Sequence, residues 1–264
     1  MKWNLIRQEL RVNRRSFWIA AAIIILFQAM FAGIADTYTK NEQLLETLSS
    51  MPQGLLEGFG IRVELMSSFE GWMSGEPYTF YILLLGAFAA IWASVSIAKE
   101  RDQQTAEALF ALPYSRQAVY ASKAAAQWLQ VTAIAVLSFL VVLATGAATT
   151  DVEHPGVILG LIAAGYLITL SFMGIGYIIT IFLKSERAAL SLGIGIVLVS
   201  FLLNLVAGMS EQLDRMADLS LFTAFSTEHI VTKHSLTAGG VIVTLGIYVC
   251  GIALGAAIFK RQDI

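Results

Sequence analysis

YTFYILLLGAFAAIWASVSIA, residues 78–98, runs for 21 positions without a charge, and KERDQQTAEALFALPYSRQAVYASK, residues 99–123, follows it with alternating bases and acids. A helix rises about 1.5 Å per residue, so the first stretch reaches across about 30 Å of hydrocarbon. The second cannot enter that layer. Outward from this pair the chain repeats the first half of the pattern. Charge-free apolar runs also occupy 16–35, 124–147, 157–183, 188–208 and 239–259. Backbone in lipid must satisfy its own hydrogen bonds, and these runs are continuously apolar rather than alternating, so they read as helices and not as barrel strands. The expected fold is all-α, a polytopic membrane protein with six transmembrane helices.

Composition agrees. Only 14% of the 264 residues are charged and 57% are hydrophobic, too few polar groups to clothe a water-soluble domain of this size. Arg14 and Arg15 precede the first run, and Gly33-Ile34-Ala35 looks like a small-residue cleavage site. A secretory leader has an apolar core of about 7–15 residues, however, and this run is longer, so it is expected to stay in the protein as a span.

Basic residues set the orientation. Of the 17, 13 fall on one side: five before the first span, four in 99–123, then Lys184, Arg187, Lys260 and Arg261. The positive-inside bias places that side, and both termini, in the cytoplasm. A multi-pass protein of the cell (cytoplasmic) membrane is expected. Cys250 is the lone cysteine, lies within the last span and reads as a small packing residue.

The single domain 1–264 divides accordingly. Residues 1–15 read as an amphipathic helix: Trp3, Ile6 and Leu10 recur at helical spacing, with Arg7, Arg11 and Arg14 on another side. It either lies in the headgroup layer beside anionic lipid or acts as an orientation signal. The outer loop 36–77 carries two apolar stripes, Leu44, Leu45 and Leu48 before Pro52, then Leu65, Met66, Phe69, Trp72 and Met73 before Pro77. They read as interfacial or partly re-entrant helices. The outer loop 209–238 is similar, with Leu213, Met216, Phe222 and Phe225. Lids and packing elements both fit these loops. Gln28, Gln127, Thr180 and Asn204 sit at membrane depth and should face protein or a cavity. Gly160, Gly165, Gly174, Gly176, Gly193 and Gly195 allow close helix contact.

Several chemistries lack their residues. No phosphate loop occurs, nor even a Gly-Lys pair, and there is no H-E-x-x-H, C-x-x-C or G-x-S-x-G. No catalytic residues, metal ligands or cofactor of its own are therefore expected. His154, His229 and His234 lie in outer loops without metal-ligand spacing and read as solvated. No acid, lysine or histidine lies deep in a span, which leaves a proton relay without members.

The segment 99–123 is the specific signal. Thr105 to Leu112 reads as a short helix exposing Leu109, Phe110 and Leu112, stopped by Pro113. Ser115 caps the next helix, which begins at Arg116 and passes Lys123. Leu and Phe rimmed by Glu100, Arg101, Asp102, Glu107 and Arg116 suit a protein partner better than lipid.

These residues resemble the permease subunits of ATP-binding-cassette exporters, in the type-two class of small six-span permeases with the type V fold. That family has a glutamate after the second span, then Gly-Thr, glutamate, leucine, proline and Ser-Arg. Here these are Glu100, Thr105, Glu107, Leu109, Pro113, Ser115 and Arg116, with Lys123 at the family's lysine. Gln104 replaces the glycine and is expected to extend the helix by a turn. Met51-Pro52, Leu55-Leu56, Phe59-Gly60 and the ending Phe259 to Ile264 also look like this family. The resemblance implies coupling to a separate ABC ATPase, which would bind ATP and Mg, and pairing with a second copy or a related permease. The bilayer is the other partner; nucleic acid is not. It further implies that the second and fifth spans line the path, making Phe88, Trp92, Phe201 and Asn204 candidates. An alternative is a non-transporting immunity or sensor subunit that binds a membrane-active peptide through its outer loops.

Overall fold

The computed structural model describes residues 3–41, 65–104, 114–207 and 217–261, with isolated residues 43, 46, 47, 50, 51 and 56. Among the described residues there is no strand. Six helices have the length and apolarity of membrane spans. They are α2 (Arg14–Thr39), α4 (Glu76–Asp102), α5 (Arg116–Thr149), α6 (Pro155–Phe182), α7 (Glu186–Ala207) and α9 (Ala238–Arg261). Short helices α1 (Trp3–Val12), α3 (Phe69–Met73) and α8 (Thr227–Lys233) join them.

Each apolar run centres on its own helix, and α2, α4, α5 and α9 overshoot the run at both ends. α5 begins well before residue 124 because the Ser115 hydroxyl accepts from the Ala118 N–H at 3.2 Å, the cap that lets the helix start among polar residues. α4 carries Pro77 in its first turn, where a missing N–H costs nothing.

α4 and α6 form the buried centre, and α2, α7 and α9 turn much of their surface outward. Trp18, Leu26, Leu140, Leu202, Ile242 and Val249 are exposed, as suits helices whose solvent is hydrocarbon. Small residues set the closest approaches. A Cβ on Gly176 of α6 would come within 2.8 Å of Ala93 Cβ, and one on Gly193 of α7 within 3.0 Å of Ser94 Oγ, so α4 is gripped from two sides. Cys250 is exposed on α9, a correction to its reading as a packing residue. It faces outward because the neighbouring Gly251 makes the contact with α6.

At the end of the bundle opposite the basic residues, the second apolar stripe of 36–77 becomes α3, a fully buried single turn. The Trp72 indole N–H donates to Phe31 O at 2.9 Å, and the Glu70 carboxylate accepts from the His154 backbone N–H at 2.7 Å. Part of the stretch 217–233 packs against the bundle as well, through Ser220, Phe222, Phe225 and Ile230. Ser220 Oγ donates to Ser200 O at 2.8 Å, and Phe222 meets the rings of Phe172 and Phe201. Leu44, Leu45, Leu48, Pro52, Leu213 and Met216 lie outside the described residues. Among the described residues no group of His, Cys, Asp and Glu could hold a metal.

Candidate functional site

A cluster of linked polar side chains sits at the basic end, around residues 99–104 where α4 finishes. Lys123, immediately before the apolar part of α5, is almost fully buried. Its Nζ lies 3.0 Å from Glu9 Oε2 and 3.0 Å from Glu100 Oε1, joining α1, α4 and α5 at one ammonium. Two carboxylates for one lysine leave a surplus negative charge, and Asn13 Nδ2 offsets part of it by donating to Glu9 Oε1 at 2.9 Å.

This junction changes the reading of the amino terminus. α1 is amphipathic as expected, but Ile6 is its buried residue, Trp3 is exposed, and the helix rests on α5 rather than on lipid alone. Ile6, Glu9 and Asn13 stand at i, i+3 and i+7, so one stripe carries both the apolar anchor and the ion pair. Glu9 is the residue sequence reasoning missed. Its signal is an acid on the apolar side of a helix otherwise rich in arginine.

The next residues of α4 bind the turn between α6 and α7. Arg101 Nη1 donates to Ile181 O at 2.7 Å and to Leu183 O at 3.4 Å, carbonyls that a helix end leaves without partners. Asp102 Oδ2 accepts from the Glu186 N–H at 2.9 Å and so caps α7 from another helix. Gln103 Nε2 donates to Glu186 Oε2 at 3.2 Å. Glu100, Arg101 and Asp102 were expected in the rim of an exposed knob; here they turn back into their own chain.

Gln104 does not extend α4. It adopts φ 55, the left-handed region, immediately after a helix that ends at Asp102. The chain therefore leaves α4 through a glutamine in a backbone region that glycine would adopt more readily. A left-handed L residue costs about 1–2 kcal/mol, so Gln104→Gly is expected to raise the thermal midpoint in detergent by the equivalent of about 1 kcal/mol. A lowered midpoint would show that the glutamine side chain contributes more than its backbone costs.

Above the ion pair a polar chain enters the membrane layer. The Trp92 indole N–H donates to Ser16 Oγ at 2.8 Å, Gln127 Nε2 donates to Trp92 O at 2.8 Å, and the Tyr177 hydroxyl donates to Gln127 Oε1 at 2.7 Å. Thr180 Oγ1 accepts from the Ile97 and Ala98 N–H groups at 2.9 and 3.0 Å. Gln28 is buried as well, and Asn204 is half-buried in α7. A cavity of about 610 Å³ opens beside this chain, with Trp92, Glu9, Glu100, Lys123, Glu186 and Leu190 in its wall.

Of the proposed path residues, Trp92 lines that cavity and Phe88 lies beside it, ring centroids 6.2 Å apart. Phe201 meets the Phe222 ring at a tilt, 57° between planes, towards the other end of α7, and neither it nor Asn204 joins the cavity wall. Of the residues expected to couple to an ATPase, Ser115 caps α5 and Arg116 begins it. Thr105, Glu107, Leu109, Phe110, Leu112 and Pro113 lie outside the described residues.

No curated protein matches the chain. A family model described as ABC-2 family transporter protein matches it over residues 3–264.

Proposed function

The chain belongs to the ABC-2 family of transporter proteins, and we propose that it is the permease of an ATP-driven exporter whose ATPase is a separate subunit. Family membership makes it a multi-pass membrane transport component. Within that, the proposal assigns the basic end to the cytoplasm, residues 105–113 to contact with the ATPase, and a second permease, identical or related, to the complete assembly. ATP and Mg belong to the partner, since the chain has no phosphate loop to cradle them.

The observation that carries the proposal is the convergence of α1, α5, α6 and α7 on the last turn of α4. A push on residues 105–113 acts directly on α4 and on the start of α5. Through Glu100 and Lys123 it reaches α1, and through Arg101 and Asp102 it reaches the α6–α7 turn. α4 is about 40 Å long at 1.5 Å per residue, so displacement at one end is carried rigidly to the other. Packed interfaces respond to such a displacement by switching between arrangements rather than by deforming smoothly. The cavity has the junction residues Glu9, Glu100 and Lys123 in its wall and reaches Trp92 about two turns along α4, so it is the first part of the membrane layer to feel the push.

Truncating a central interface anchor commonly costs about 2 kcal/mol or more, about thirtyfold in affinity. Combining Leu109→Asp with Phe110→Ala is therefore expected to remove the ATPase from affinity-purified permease while the permease itself stays folded in the membrane. An ATPase that still co-purifies at full yield with this variant would refute the docking assignment.

A further inference from the structure

At the α1–α2 elbow, Arg11, Arg14 and Arg15 line a shallow, open surface groove that continues past Trp18, Ile19 and Ala22 of α2. We propose that this groove binds an anionic phospholipid, its phosphate among the guanidinium groups and an acyl chain along Trp18 and Ala22.

The residues fall at i, i+3, i+4, i+7, i+8 and i+11, so the elbow lays them out as one continuous stripe, cationic at its head and apolar below. No acid lines the groove. The one acid of α1, Glu9, is held by Lys123 and Asn13, and the first turn of α2 contains none. None of the three arginines forms an ion pair among the described residues. Asn13, the residue before α2, places its amide on Glu9 and does not cap the helix. The positive end of the α2 dipole thus adds to three uncompensated guanidinium groups.

Guanidinium forks match phosphate oxygens bidentately, which favours a phosphate over a carboxylate of equal charge. Trp18 is 57% exposed directly below them, and an indole at headgroup depth is a common lipid contact. A soluble phosphate would use the rim and leave the apolar floor empty; a phospholipid uses both. Net negative charge in the headgroup is required because a zwitterion would bring its own cation against the three arginines.

The test uses the full chain reconstituted in phosphatidylcholine vesicles containing either brominated phosphatidylglycerol or brominated phosphatidylcholine at equal mole fraction. Bromine quenches nearby indole fluorescence, and the Trp18 contribution is the difference between the native chain and Trp18→Phe. Phosphatidylglycerol is expected to quench Trp18 preferentially. Arg14→Gln should lower that preference about tenfold, the loss of one charge-assisted contact. Arg7→Gln removes the same charge outside the groove and should leave the preference intact. Equal quenching by the two lipids would overturn the proposal. So would equal losses in Arg14→Gln and Arg7→Gln, which would indicate diffuse attraction to the surface. Abolition of the preference by excess inorganic phosphate would also overturn it, assigning the rim to a soluble anion.

Discussion

The Lys123→Met variant is expected to lose about 3–5 kcal/mol of stability, because it leaves Glu9 and Glu100 facing each other with no cation between them. The side chain of Lys123 is only 9% exposed, so water cannot replace it without opening the junction. Methionine fills nearly the same volume, and the loss would therefore report charge rather than packing. α1 should detach, since the ion pair and the small apolar contact at Ile6 are what hold it to α5. The measurement is the thermal midpoint in detergent, with trypsin cleavage after Arg7 and Arg11 as the reading of α1 itself. Adding Glu9→Gln and Glu100→Gln to Lys123→Met should recover much of the midpoint. A single variant as stable and as trypsin-resistant as the native chain would mean that the junction does not hold α1.

The second large effect is expected at the contact between α6 and α9. A Cβ on Gly251 would fall 2.2 Å from Gly174 O and 2.7 Å from Gly174 Cα. Both obstacles are backbone, so no side chain can move aside. α9 is the least buried of the six spans, and its packing is mostly against α6. Gly251→Leu should therefore push α9 away from α6 at a cost of about 3 kcal/mol. Gly246→Leu is the matched control, because that position meets nothing within 4 Å. Thermal midpoints of the two variants should differ widely, and similar midpoints would show that α9 is not held by this glycine contact.

How much of this was legible in the sequence depends on which solvent each residue meets. A span must be apolar over its whole length, so six charge-free runs locate six helices. Their ends were less legible because a cap can carry a helix into polar sequence, as Ser115 does for α5. The stripe at 65–73 was readable as a helix, but not as a buried one, since protein and lipid select the same apolar residues. The same ambiguity hid the docking of α1: Ile6 would serve either environment, and only Glu9 argued for a charged partner inside the fold. The pairing of Glu9 with Lys123 spans 114 positions, beyond any local pattern. At Gln104 the good helix propensity of glutamine pointed to continuation, yet α4 ends at Asp102 and Gln104 takes the left-handed region. Glu100, expected to face an ATPase, instead turns inward to Lys123, a direction no local pattern carries.

The most direct test of the central claim is ATP hydrolysis by material purified through a tag on this chain. Isolated from native membranes, the preparation is expected to contain a nucleotide-binding subunit and to hydrolyse ATP. The same chain expressed and purified alone should show no turnover. Hydrolysis by the chain alone, or a native preparation with neither an ATPase subunit nor ATP turnover, would contradict the account.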